Sequence, residues 1–439
     1  MNHTTKDPES YNIPPSYENA ADPCTRINSK THKDEVQDSD NPTTYPEGGW
    51  AAWSVVLGSW MATFGTMGIM NSVGIFEAYM KEHQLQDYSA GQVGWIFGLY
   101  TFFAFFCGIQ VGPIFDTKGP RILVLGGAVG TTVFLVLLGF CTAYWHFMLV
   151  FGLLGVSLSL AFNPAISIVA HYFNRRRAFA TGVASSGASV GGVIFPLVFQ
   201  ALVSKVGFAW ATRSIALIDL IAFIPAIILI RPRTQTKKTP VGAVLLDFSA
   251  FRDVRLMLAS MGIFFMEWGL FTPIAYLVSY ALSHGASSQF AYLLLSLVNV
   301  GAVFGRWIPG YCADRIGRFN TLIISIFGCL LSVLALWMLA GSSAPIMIAF
   351  AVLFGFASGS NVSLAPVCVG QLCKIEAYGR YYATACLTSF PIAGEILNRC
   401  NGEYWGLIAF TAVSYAVSLV CLVLTKLFCC GRNQIAAFF

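Results

Sequence analysis

Residues 112–121 read GPIFDTKGPR, and residues 310–319 read GYCADRIGRF. Gly112, Asp116 and Gly119 of the first stretch recur 198 positions later as Gly310, Asp314 and Gly317. A basic residue follows the last glycine within two positions in both copies, Arg121 in one and Arg318 in the other. A motif repeated at one long offset marks an internally duplicated chain. Each copy lies between long apolar runs, so the duplicated unit is a set of membrane-crossing helices. Many secondary transporters are built from such repeats.

Composition agrees with that reading. Of 439 residues, 56% are hydrophobic and 11% charged, against about 25% charged in soluble proteins. The charges avoid the apolar runs, and about 20 apolar residues suffice to cross 30 Å of hydrocarbon as a helix. Twelve such runs lie near 50–79, 92–112, 121–142, 147–171, 178–203, 210–230, 256–282, 290–312, 320–341, 346–371, 380–398 and 404–428. Shifting the first run by 198 lands close to the seventh, so the repeat extends beyond the motif. The expected fold class is therefore all-α, with twelve transmembrane helices in two six-helix halves, because helices satisfy their own backbone groups in lipid. The expected domains are a disordered tail (1–45), a first half (46–230), a central loop (231–255), a second half (256–428) and a short carboxyl tail (429–439).

Basic residues set the orientation. With the amino terminus inside, 18 of the 26 Lys and Arg, Arg306 included, fall on cytosolic loops, and four more lie in the amino-terminal tail. Only Lys81, Lys205, Arg213 and Arg399 remain for the other side. The bias places both termini in the cytosol, most simply at the plasma membrane, with a vacuolar membrane as the alternative. The tail is rich in Asp, Glu, Ser, Thr, Asn and Pro and poor in large apolar residues, as disordered segments are. The net charge of +5 carries no nucleic-acid implication, since the basic residues sit where topology requires them.

Several function classes are excluded. No GxxxxGK[ST] stretch is present to cradle nucleotide phosphates, and neither HExxH nor paired His/Cys spacing offers a metal site. The expectation is no enzyme, no cofactor and no metal, with an organic solute, a proton to couple it and the bilayer as partners, and no obligate protein partner.

Polar residues inside the runs are the candidates for solute and proton contact, since a charge at the bilayer centre costs about 2.5–3.5 kcal/mol on insertion scales. Arg306 in the eighth run could hold a carboxylate through its planar fork, or serve structurally near Asp314. Glu267, mid-way along the seventh run beside Trp268, could exchange a proton or pair with Arg306. Asn71, Asn299 and Asn361 could bond a ligand or hold two helices together. Glu395 in the eleventh run, Asp219 in the sixth and Glu77 late in the first are weaker candidates. In the repeat, Asp116 and Asp314 could pair with basic neighbours or cap a helix amino terminus, closing the cytosolic side.

The duplicated stretch resembles the signature loop of the major facilitator superfamily, over residues from about 46 to 430. Glu47-Gly48-Gly49-Trp50-Ala51-Ala52-Trp53 resembles the acidic-Gly-Gly-Trp signature of the monocarboxylate transporter family. Tyr172-Phe173-Asn174-Arg175-Arg176-Arg177 and the small-residue stretch 181–192 are similar to its second signature, and together they resemble this family or its fungal branch. That resemblance implies alternating access and a small organic cargo, a monocarboxylate or related metabolite. It equally covers carriers for riboflavin and other metabolites, so export of a bulkier secondary metabolite is the alternative. Two departures bear on mechanism. The family's lysine late in the first helix is replaced by Asn71, and the carboxylate one turn before its arginine by Ala302, which argues against simple lactate–proton symport.

Overall fold

The computed structural model describes residues 45–232, 254–372, 396, 400 and 403–430. These residues are helical almost throughout, as the run lengths require. The helices are α1 (Gly49–Met70), α2 (Val73–Glu82), α3 (Ala90–Phe106), α4 (Gly108–Lys118), α5 (Pro120–Leu138), α6 (Tyr144–Ser167), α7 (Arg177–Leu229), α8 (Val254–Ser283), α9 (Ser288–Ile316), α10 (Arg318–Ser332), α11 (Met338–Ala340), α12 (Ala344–Leu372) and α13 (Trp405–Cys430). Among the described residues, eight helical stretches are long and apolar enough to cross a membrane, and the 53-residue α7 is itself long enough for two crossings. The chain is an all-helical membrane protein. Glu395 and most of the eleventh run, of the tails and of the central loop lie outside the described residues.

Local chemistry explains the starts and breaks. Ser89 caps α3 in a reciprocal box with Gln92, at 3.2 and 2.9 Å, and Ser287 caps α9 through the Phe290 amide. The first run is not one helix. Gly65, Thr66, Gly68, Asn71 and Ser72 are weak helix formers, and the chain breaks at Asn71–Ser72, with the Ser72 hydroxyl bonded back to the Gly68 carbonyl at 2.7 Å. The fifth and sixth runs are joined through a turn at Gly207, whose φ of 80° suits glycine.

The duplicated motif is a helix end rather than a loop. α4 continues through Gly112 and Asp116 to Lys118, and α9 continues through Gly310 and Asp314 to Ile316. The turn falls on Gly119 and Gly317, with φ of 77° and 99°, and Pro120 starts α5 at a position where its missing N–H costs nothing. The backbone at Asp116 is helical, but its side chain is outside what the structure describes.

α7 is the hub. It packs along α1 on one face and α9 on another. Gly187 lies where a Cβ would come 2.1 Å from the Trp60 carbonyl of α1, and Gly182 where one would come 2.3 Å from the Arg306 carbonyl of α9. The small residues of stretch 181–192 thus bring together the half built from α1–α7 and the half built from α8–α13.

Candidate functional site

The two halves meet at three levels. At the end that carries the motif, Asp314 caps the start of α7, accepting from the Ala178 amide at 3.1 Å and the Phe179 amide at 2.9 Å. A carboxylate against a helix amino terminus gains from both the free N–H groups and the dipole. Arg318 donates to the Asn174 carbonyl at 3.0 Å. The helix that Asp314 caps belongs to the other half of the molecule. Arg121, the corresponding arginine of the first copy, bonds instead to the Ile230 carbonyl within its own half, at 3.1 Å.

The segment 174–177 is itself held from behind. Glu47 accepts from the amides of Asn174, Arg175 and Arg176 at 2.9, 2.6 and 3.3 Å. Its backbone adopts φ of 49°, an uncommon region for a residue with a side chain. Trp53 packs edge-on against Phe173 and Phe179, with ring centroids 5.4 and 6.2 Å apart. The two sequence signatures thus dock onto one another. Trp50 is 88% exposed, as an interfacial anchor requires.

At mid-depth, three sequence candidates converge on one face of α7. Arg306 donates to the Ser185 carbonyl and, at 3.2 Å, to the Gly359 carbonyl of α12. Asn71 donates to the Ala188 carbonyl at 3.3 Å, and Asn299 to the Gly192 carbonyl at 3.2 Å. Residues 185, 188 and 192 share a helix face. Each carbonyl retains a second lone pair beside its intrahelical bond, which lets a helix interior serve as an acceptor strip. Both asparagines, in this conformation, join helices.

A cavity lies between the halves beside this strip. Met67, Phe105, Leu270, Phe271, Ile274, Val298 and Val362 supply apolar walls, and Asn71, Glu267, Asn299, Arg306 and Ser358 supply polar groups. Glu267 and Arg306, on α8 and α9, are 1% and 3% exposed. The open volume is about 20 Å³, room for one water. Asn361 is not part of the lining. It is fully buried, with its amide directed to the Cys329 sulfur at 3.8 Å.

At the opposite end α2 closes on α8. A Cβ on Gly74 would come within 3.0 Å of the Ile274 carbonyl and 3.2 Å of that of Ala275. Phe105 and Phe271 meet just beneath, 5.9 Å between centroids. In this conformation the halves are therefore in contact on both sides of the cavity.

Of the residues singled out from the sequence, Arg306, Asn71, Asn299 and Asp314 bond to α7, whereas Glu267 lines the cavity from α8. Sequence reasoning missed the α7 carbonyl strip and the amides held by Glu47, because backbone groups leave no trace in residue type. The glycines at 182 and 192 were the available signal, and they marked close approach without naming the partner.

The comparisons with known proteins agree with this architecture. The family described as "Major Facilitator Superfamily" matches residues 52–396. The chain is 32% identical over 435 residues to the riboflavin transporter MCH5 of Saccharomyces cerevisiae, covering 92% of this chain and 84% of that one. It is 36% identical over 386 residues to the aspyridones efflux protein apdF of Emericella nidulans, covering 85% and 77%. With the fujikurins efflux protein of Gibberella fujikuroi it shares 34% identity over 404 residues, covering 90% and 86%. A duplicated helical chain, two halves meeting along α7 and a cavity between them accord with these likenesses, and the chain belongs to the Major Facilitator Superfamily.

Proposed function

We propose that the protein is an alternating-access secondary carrier that exports a bulky, largely apolar organic metabolite. The observation that carries this is the cavity lining: apolar and aromatic walls, Ala302 among them, around one arginine, one glutamate and a few neutral polar groups. Such a lining suits a ligand with an extended apolar or aromatic body and one polar end. Arg306 holds an acidic or carbonyl group of that ligand, and Glu267 exchanges the coupling proton. Two of the relatives are named as efflux proteins, for aspyridones and fujikurins, and a third as a riboflavin transporter, which supports an organic metabolite as cargo and export as its direction. Asn71 and Ala302, standing where the monocarboxylate family places its lysine and its carboxylate, speak against the lactate reading. The end bearing Asp314 faces the cytosol, following the distribution of Lys and Arg.

The test is flux in proteoliposomes under an imposed proton gradient, with riboflavin, an aromatic polyketide and lactate compared. Saturable movement of a bulky aromatic solute against an inward proton gradient is the expected result. Uptake of riboflavin down that gradient would reverse the direction while keeping the solute class. Saturable flux of lactate alone would overturn the proposal.

A further inference from the structure

α2 begins after the break at Asn71–Ser72, and its contact with α8 is the closure of the end opposite the motif. One turn beyond Gly74 on the same face stands Glu77, 6% exposed. Its Oε2 is buried without a hydrogen-bond partner among the described residues, and the hydroxyl of Tyr276, on α8 two residues after Ile274, is buried in the same condition. Two polar atoms are thus sealed into a dry contact between the halves, and neither is satisfied there.

We infer that Glu77 is a proton-binding site that controls this end of the carrier. The inference rests on the alternating-access reading above. Closing α2 onto α8 strips water from the carboxyl group. A carboxylate left short of partners in a dry contact costs far more than a neutral carboxyl. Separation of α2 from α8 returns Glu77 to water, where it ionises. Closure therefore takes up one proton from the compartment this end faces, and reopening returns it. The groups around Glu77 do not substitute for that proton. On its own helix, Lys81 lies one turn on and is exposed, as is Glu82. From α8 come Tyr276 and then Tyr280, and from the turn just before α13 Tyr404, all neutral phenols at ordinary pH. α3, which also packs against α2, offers Tyr100 as its only titratable residue, and α7 meets α2 through Phe199 and Phe208, against Phe76 and the phenol Tyr79, which stacks on the exposed His83.

The proposal is distinct from the role given to Glu267. Glu267 lines the cavity and is reached from either side in turn, so it suits net proton movement. Glu77 is reached from one side only and sets how often that side opens.

The test uses the full-length carrier in proteoliposomes. Ala275→Cys, on the α8 backbone that meets Gly74, is labelled by an impermeant maleimide and quantified by peptide mass spectrometry between pH 5.5 and 8. The exposed Lys81→Cys reports the intrinsic thiol reactivity, and labelling at 275 is expressed relative to it. The expected result is protection that grows as pH falls, approaching about tenfold per pH unit at its steepest, the limit for one linked proton. Glu77→Gln holds labelling low and independent of pH, while Glu77→Asp, which keeps a titratable group, retains a slope. A flat profile in the parent, an undiminished slope in Glu77→Gln, or loss of the slope in Glu267→Gln instead would each overturn the assignment. Gradient-driven flux measured on the same parent vesicles separates the two readings. Absent flux with an intact slope sinks the carrier and spares the proton site, and the converse sinks the site alone.

Discussion

Replacing Asp314 by asparagine tests the closure at the motif-bearing end. The carboxylate accepts two amides of α7, at 3.1 and 2.9 Å, from the other half of the molecule. Hydrogen bonds to a charged acceptor contribute about 1.5–3 kcal/mol each, whereas replacement of an N-cap residue costs about 0.5–2 kcal/mol. The smaller scale applies here. Asparagine keeps one acceptor oxygen, the site is half-buried, and water reaches both amides once the halves part. A loss of about 1–2 kcal/mol from the closed state alone enlarges the open fraction by about 5–30-fold. Ala302→Cys, on the cavity wall, reports that fraction through the rate at which a maleimide supplied on the motif side reaches it. In Asp314→Asn, labelling should accelerate by about that factor, and turnover should fall because the carrier resets through closure. Unchanged labelling and unchanged turnover, in a variant with the parent's melting temperature, would refute the capping argument.

Three further outcomes follow from the same geometry. Gly182→Ala places a methyl 2.3 Å from the Arg306 carbonyl between the halves, while Gly155→Ala places one 2.2 Å from the Tyr100 carbonyl within the first half. Overpacking costs about 1–3 kcal/mol in both, but only Gly155→Ala should lower the melting temperature, and only Gly182→Ala should raise Ala302→Cys labelling. Arg306→Lys keeps the charge and loses the fork that reaches both the Ser185 and the Gly359 carbonyls. Solute affinity should fall at least tenfold, and an unaltered affinity would leave the arginine structural. Arg318→Ala should increase opening at the motif end, because its bond crosses to Asn174, whereas Arg121→Ala should only destabilise the first half, because its bond to Ile230 does not cross. Equal labelling rates in the two arginine variants would remove that distinction.

The fold was legible because hydrocarbon permits so few solutions. Apolar runs bounded by charges, together with a motif offset of 198, fix an all-helical duplicated chain. What lay beyond the pattern was the break at Asn71–Ser72 and the continuation of α4 and α9 through the motif. Both depend on where neighbouring helices satisfy the backbone, which a run of apolar residues does not encode. The site was legible in part. Glu267, now in the cavity lining, stood out as a polar residue in an expensive medium, as did Arg306, Asn71 and Asn299, which donate to α7. Their main acceptors, the carbonyls of residues 185, 188 and 192, could not be read, since every residue carries one. Glu47 illustrates the same limit. Its acidic signature was visible, but the amides it holds lie 127 to 129 residues away and have no side-chain identity.

The two closures differ in kind, and that difference bears on how the carrier is driven. At the motif end the halves are joined by charged groups on backbone donors and acceptors, Asp314 on the α7 amides and Arg318 on Asn174. Such bonds exchange with water at small net cost, so this closure is sensitive to charge. At the opposite end the contact is backbone against backbone at Gly74, with Glu77 and Tyr276 buried and an oxygen of each unsatisfied. That closure is sensitive to packing and to protonation. Between them the α7 carbonyl strip serves both halves, and any solute group that competes for Arg306 loosens one of its ties to α7 and α12. On the proposed function, binding in the cavity and opening at an end are coupled through a shared donor, and differential affinity of that kind is what a ligand needs to shift a conformational equilibrium.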